Sequence, residues 1–191
     1  MLGNAAIAQG AYEAGVKVSA AYPGTPSTEI SECIVKYPEV YAEWSPNEKV
    51  AMEVAIGASI AGVRAMASMK LVGVNVAADP LYSISYAGVN GGLVLVAADD
   101  PGIYSSQNEQ DTRMVARAAM VPVLNPLTAK LVFTNWRRIQ RKYDTPVIVR
   151  NTPSVSLAGR CASEERMEIS DKPYERTLKK CADACKRKNG T

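Results

Sequence analysis

The sequence predicts an α/β fold: an open, mostly parallel sheet of about six strands with helices on both faces. Three observations predict it. Short apolar runs alternate with segments of helical spacing over the first 150 residues. The runs are continuously apolar, as strands covered on both faces require. Pro, Gly and polar clusters punctuate the two kinds of segment. A length of 191 residues suits one domain with a tail. The expected division is an α/β domain over 1–152 and a charged linker or tail, partly helical, over 153–191.

The elements follow in order. Residues 4–14 are Ala-rich and run up to Gly15, a helix with a glycine stop. Residues 16–22 read as a strand closed by Pro23 and Gly24, and 26–35 resume helical spacing. A short strand over 40–44 precedes a strong helix over 46–61. Residues 65–69 form the next strand, 70–75 a loop, and 75–86 a helix in which Pro80 is an irregularity. Leu-Val-Leu-Val-Ala-Ala over 93–98 is a buried strand, followed by the long polar stretch 99–111. A helix over 110–119, a strand over 121–124, a helix over 128–142 and a strand over 147–150 complete the domain.

Composition narrows the chemistry. The chain has no His, which excludes Ser-His-Asp and Cys-His catalysis, His-ligated metals and imidazole pH switching. Acid–base work falls to carboxylates, Lys, Tyr, Cys or a cofactor. The net charge of +3 arises beyond Arg150, where 9 basic residues face 6 acidic ones; up to Arg150 there are 13 of each. A neutral body with a mildly basic tail is not a nucleic-acid signature. Cys33, Cys161, Cys181 and Cys185 are scattered, and three residues separate the last two thiols, so no metal site is expected. No secretory signal and no membrane-spanning run is present, and a reducing cytoplasm is the expected compartment.

In an open α/β sheet ligands bind at the carboxyl ends of the strands. Neither a phosphate loop nor G-x-G-x-x-G follows the first strand, and the glycines at 88, 91 and 92 precede a strand, which disfavours a nucleotide fold. Ser45-Pro46-Asn47-Glu48 has two readings: a capping box with Ser45 as N-cap and Glu48 closing it, or a carboxylate at the ligand edge. Thr25-Pro26 likewise reads as an N-cap followed by Pro at the first helical position. Residues 99–111 form either a surface turn or the lining of a site. Lys70 ends a strand, as a snorkelling surface cation or as a charge aimed at the same edge.

Together these stretches carry a resemblance. Tyr22-Pro-Gly-Thr-Pro-Ser27, Glu43-Trp-Ser-Pro-Asn-Glu-Lys-Val-Ala51, Met69-Lys70, Val72 to Pro80, Asp99-Asp-Pro-Gly102 and Ser105 to Asp111 occur in one order. In that order the chain resembles the alpha-subunit family of indolepyruvate:ferredoxin oxidoreductases, thiamine-diphosphate enzymes of the 2-oxoacid:ferredoxin oxidoreductase superfamily. The match runs to about Arg150 and covers that family's pyrimidine-binding domain, implying the thiamine-diphosphate-binding fold.

The resemblance implies a mechanism and a site. A Glu at the place of Glu48 hydrogen-bonds N1′ of the cofactor's aminopyrimidine. This prepares deprotonation of the thiazolium carbon, oxidative decarboxylation of a 2-oxoacid and electron transfer to iron–sulfur clusters on partner domains. Glu48 is then catalytic and cofactor-binding, shielded from water and turned into the cleft rather than onto Ser45. Pro23, Gly24 and Asn75 are implied cofactor contacts. Thr25, Lys70, Ser106, Gln107 and Asn108 are implied around the substrate. The family carries His where this chain has Leu71 and Tyr104.

The family's alpha subunit also carries a second, diphosphate- and magnesium-binding domain and a Cys-rich end. These 191 residues contain neither. The isolated chain is therefore expected to bind thiamine diphosphate weakly and to be inactive without a diphosphate-binding partner, with ferredoxin as electron acceptor of the assembled homo- or hetero-oligomer. Exposed Met52, Ala55 or Ile56 on the Glu48 helix would mark the face awaiting that partner. The competing reading is a non-catalytic interaction or regulatory module that keeps the fold.

Overall fold

Gly15 sets the first turn. Its φ of +79° is one that side-chain-bearing residues rarely adopt, and it lets the chain leave the first helix for the sheet. The computed structural model describes residues 3–125 and 146–151. Helices and strands then alternate: α1 (Gly3–Glu13), β1 (Val18–Ala21), α2 (Thr28–Ile34), β2 (Tyr41–Trp44), α3 (Glu48–Ile60), β3 (Ala65–Lys70), α4 (Leu71–Val76), α5 (Ala78–Ala87), β4 (Leu93–Ala98), α6 (Thr112–Ala118), β5 (Val123–Leu124) and β6 (Val147–Asn151). The strands form one six-stranded sheet in the order β2-β1-β3-β4-β6-β5, and every pairing is parallel. The helix expected over 128–142, the tail from 153, and Cys161, Cys181 and Cys185 lie outside the described residues.

Each strand sends alternate side chains to opposite faces, and both faces are covered. Met66, Val94, Val96, Val147 and Val149 meet α1 and α2 through Ile7, Ala11, Ile30 and Ile34. Ala65, Ala67, Met69, Leu93, Leu95 and Ile148 meet the other helices through Met52, Ala55, Leu81, Ile84 and Ala116. This is why 93–98 reads as an unbroken apolar run: β4 lies between β3 and β6, and all six of its residues are buried.

The structure corrects several local expectations. The loop expected over 70–75 is helical, since Lys70 keeps an extended φ of −73° and ψ of 161° and α4 starts at Leu71 without a connection. The helix expected over 75–86 is two helices broken at Ala77. Pro80 is no irregularity: it stands third in α5, among amides that have no intrahelical partner anyway. Thr25 is not an N-cap. The Ser27 amide and hydroxyl both donate to the Gly24 carbonyl, at 2.7 Å each, so a tight turn containing a cis Thr25–Pro26 bond precedes α2. Ser45 is not an N-cap either: Asn47 takes that place, its Oδ1 accepting from the Val50 amide at 3.0 Å. Met52 and Ala55 are fully buried in the core and Ile56 packs against it, so the Glu48 helix presents none of them as an open apolar face. The exposed large side chains Val76, Tyr82, Tyr86 and Met114 lie on α4, α5 and α6 instead. Among the described residues no helix is long and apolar enough to cross a membrane.

Candidate functional site

The strand order reverses direction at β1: β2 lies on one side of it and β3 on the other. In such sheets the crevice outside the carboxyl ends of the two strands at the reversal is the favoured ligand position. Here the loop after β1 and the β3–α4 junction flank it. Gly24, just past β1, lies so close to Lys70 at the end of β3 that a Cβ there would sit 3.2 Å from the Lys70 Cβ and 3.5 Å from its Cδ. The Gly24 amide donates to the Thr28 Oγ1 at 2.9 Å, which holds the loop against the start of α2. Pro23 and Thr25 are exposed beside it.

Glu48 opens α3. It is half-buried rather than shielded, and its carboxylate takes no part in capping Ser45. The Ser45 amide donates to the Ala21 carbonyl at 2.8 Å and its hydroxyl to Glu43 Oε1 at 3.3 Å. With Asn47 as the cap, Glu48 is left to reach across to α4. There it lies directly over Gly73: a Cβ on Gly73 would come within 2.5 Å of the Glu48 Cγ and Oε1. Two neighbours are thereby brought to the crevice, the Glu48 carboxylate against Gly73 and the Lys70 stem against Gly24. Asn75 is exposed two residues beyond Gly73, about 200° further round the helix, and so lies on a different face of α4 from the one under Glu48.

The stretch after β4 is organised by two buried carboxylates. Asp100 Oδ2 accepts from the Ser105 amide at 2.8 Å and the Ser106 hydroxyl at 2.7 Å. Burial alone would raise the Asp100 carboxyl. It is outweighed by hydrogen bonds from the Ser105 amide, the Ser106 hydroxyl and the Tyr104 amide and by the positive Lys70, so the carboxyl stays below its ordinary value. Lys70 Nζ donates to the Ser105 carbonyl at 2.5 Å, tying this loop to the end of β3. Ser106 thus faces inward onto Asp100, while Gln107 and Asn108 are exposed. Asn108 Oδ1 accepts from Gln110 Nε2 at 2.6 Å.

Asp99 is fully buried and anchors α6. It accepts from the Thr112 amide at 3.1 Å, from the Thr112 hydroxyl and from Arg150 Nε at 2.5 Å. Asp111 caps α6 through the Arg113 amide. The Arg113 guanidinium, opposed by partial burial and helped by Arg150, holds the Asp111 carboxyl below its ordinary value. On the far side, the buried Asn4 donates to the Pro26 carbonyl at 2.8 Å and to Glu29 at 3.0 Å, and accepts from Asn151 at 3.1 Å. The start of α1, the loop after β1 and the end of β6 are joined in this way.

Sequence reasoning missed Gly73, the cap role of Asn47 and the Asp99–Arg150 pair. A signal was present for the last of them: two acidic residues directly after an all-apolar strand need partners. Gly73 carries none, because it falls in the stretch 70–75 that reads as a loop, where a glycine is ordinary. Nothing local singles out Arg150, which is 51 residues from Asp99.

Comparison with known proteins bears on the family and the fold. Residues 9–149 match the family model "Pyruvate flavodoxin/ferredoxin oxidoreductase, thiamine diP-bdg". The chain is 49% identical over 190 residues to the indolepyruvate oxidoreductase subunit IorA of Archaeoglobus fulgidus, covering 92% of this chain and 30% of that protein. It is 52% identical over 158 residues to the subunit of the same name from Pyrococcus horikoshii, covering 80% of this chain and 24% of that protein. The chain therefore spans less than a third of the length of either relative. In fold it is similar to a solved 2-oxoglutarate:ferredoxin oxidoreductase from Magnetococcus marinus, with a TM-score of 0.68, 22% identity, and coverage of 82% of this chain and 30% of that one.

Proposed function

Since the chain belongs to the thiamine-diphosphate-binding domain family of the pyruvate flavodoxin/ferredoxin oxidoreductases, we propose that it is the pyrimidine-binding part of an indolepyruvate-type 2-oxoacid:ferredoxin oxidoreductase. In this reading Glu48 is the catalytic carboxylate. The observation that carries it is the placement of Glu48 at the sheet's ligand edge, over Gly73, with the capping task left to Asn47. A carboxylate committed to its own helix amides cannot serve a ligand nitrogen; this one is not so committed. The donor set suits an aminopyrimidine, whose ring nitrogen needs one carboxyl, and Glu48 supplies one that caps no helix amide.

When bound, thiamine diphosphate supplies the nucleophilic carbon and the nitrogen base that a chain without His lacks. Glu48 holds a proton at the pyrimidine N1′. Pro23, Gly24 and Asn75 are assigned to cofactor contact. Thr25, Lys70, Ser106, Gln107 and Asn108 are assigned to the substrate side, with Lys70 offering the positive charge that a 2-oxoacid carboxylate needs. Lys70 is bonded to the Ser105 carbonyl in this structure, so it would have to exchange that partner for substrate. The diphosphate–magnesium wall, the iron–sulfur clusters and the ferredoxin contact are assigned to partner domains or subunits of a cytoplasmic oligomer. The relatives' greater length supports such further domains.

Calorimetric titration with thiamine diphosphate and Mg²⁺, with and without a diphosphate-domain partner, tests the reading. Binding that weakens in Glu48→Gln is the expected result, and absence of binding in both settings counts against it. A second reading, a non-catalytic module, is favoured by Leu71 and Tyr104. Leu71 is packed into the core and Tyr104 is almost fully exposed, and neither side chain does imidazole chemistry. Full activity of a reconstituted Glu48→Gln complex would support that second reading.

A further inference from the structure

We propose that Gly73 is a positioning residue for the Glu48 carboxylate: α4 carries a glycine at this point because the side chain from α3 occupies the space of its missing Cβ. The inference rests on the reading of Glu48 just given and adds a residue to it. An ideal Cβ on Gly73 would meet the Glu48 Cγ and Oε1 at 2.5 Å and Cδ at 2.8 Å, distances that real Cβ atoms do not show. Three consecutive side-chain atoms are involved, including the inner Cγ, so a swing of the terminal carboxylate alone does not clear the clash. Glu48 has to leave its rotamer or α3 has to move. Gly73 sits within α4, at a position that calls for no unusual backbone, and alanine there is the better helix former. Gly73 is buried, and the nearest atoms its Cβ would meet all belong to Glu48. The glycine is therefore explained by Glu48 rather than by the helix. Gly24 does the same for the Lys70 stem more loosely, at 3.2 Å. The crevice thus has two glycine seats, each under a side chain assigned to the site.

The test is a four-protein cycle of wild type, Gly73→Ala, Glu48→Ala and the double variant. It is read by urea denaturation of the chain and by titration, in the presence of Mg²⁺ and a diphosphate-domain partner, with thiamine diphosphate and with its analogue carrying carbon in place of N1′. Gly73→Ala is expected to lower the denaturation midpoint in the wild-type background and to leave it unchanged or raise it once Glu48 is Ala. It is expected to weaken thiamine diphosphate about tenfold, to leave the analogue's affinity unchanged, and to have no further effect in Glu48→Ala. Equal destabilisation by Gly73→Ala in both backgrounds overturns the proposal. So does equal weakening of cofactor and analogue, which marks a merely structural role. If Glu48→Ala leaves thiamine diphosphate binding intact, the catalytic reading of Glu48 fails, and with it the functional part of the Gly73 proposal. The stability cycle then still reports whether the steric seat exists.

Discussion

Replacing Arg150, on β6 between β4 and β5, by Met should cost this domain about 3 kcal/mol. Asp99 has no exposed surface, and three hydrogen bonds compensate its charge: the Thr112 amide at 3.1 Å, the Thr112 hydroxyl, and Arg150 Nε at 2.5 Å. Removing one partner of a buried pair leaves the other charge uncompensated, at about 3–5 kcal/mol. The lower end applies because Thr112 keeps two donors on Asp99 and because Arg150 is itself 15% exposed. Asp111, 3.6 Å from Arg150, retains Arg113 and adds little. The double variant Asp99→Asn with Arg150→Met removes both charges and should lose about 1–2 kcal/mol, less than Arg150→Met alone, so the two substitutions are coupled. Urea denaturation of the four proteins measures this. A single Arg150→Met loss of about 0.5 kcal/mol or less, the size of an ordinary surface change, would refute the reasoning. So would strict additivity of the two substitutions.

Two further outcomes are expected. Asn47→Ala should destabilise by about 1 kcal/mol as a lost N-cap, with Ser45→Ala costing less; the opposite ranking in thermal denaturation would restore Ser45 as the cap. Asp100, whose folded value lies below the ordinary 3.8, contributes stability that is fully present above that value and is lost as pH falls through the depressed one. Wild type should therefore lose stability on the acid side of about pH 4 more steeply than Asp100→Asn, and parallel acid limbs for the two proteins would contradict the assignment.

Much of the fold is legible in the chain because the signal is local. An unbroken apolar run such as 93–98 can only be a strand covered on both faces or a buried helix, and flanking Gly and Asp residues together with its short length decide for the strand. Cap positions are not legible in the same way, because Ser45, Asn47 and Thr25 are all competent caps. Which one acts depends on where the preceding strand lets go of the backbone: the Ser45 amide is still bonded to β1, so α3 starts after it. The Lys70–Leu71 junction is not legible locally, because α4 begins directly after β3 and no turn residue marks such a start. The motifs that carry the resemblance make Glu48, Gly24 and Lys70 candidate site residues but are silent on their packing.

The sequence by itself determined the parallel α/β architecture, the absence of imidazole chemistry and the carboxylate at the head of α3, since each depends on residue type and near-neighbour spacing. The tertiary structure decided which groups meet: Glu48 with Gly73 25 residues away, Lys70 with Ser105 at a separation of 35, and Asp99 with Arg150 at 51. Those pairings arise from strand order, which brings the ends of β1, β3, β4 and β6 to one edge. Strand order is a property of long-range packing that no window of sequence contains.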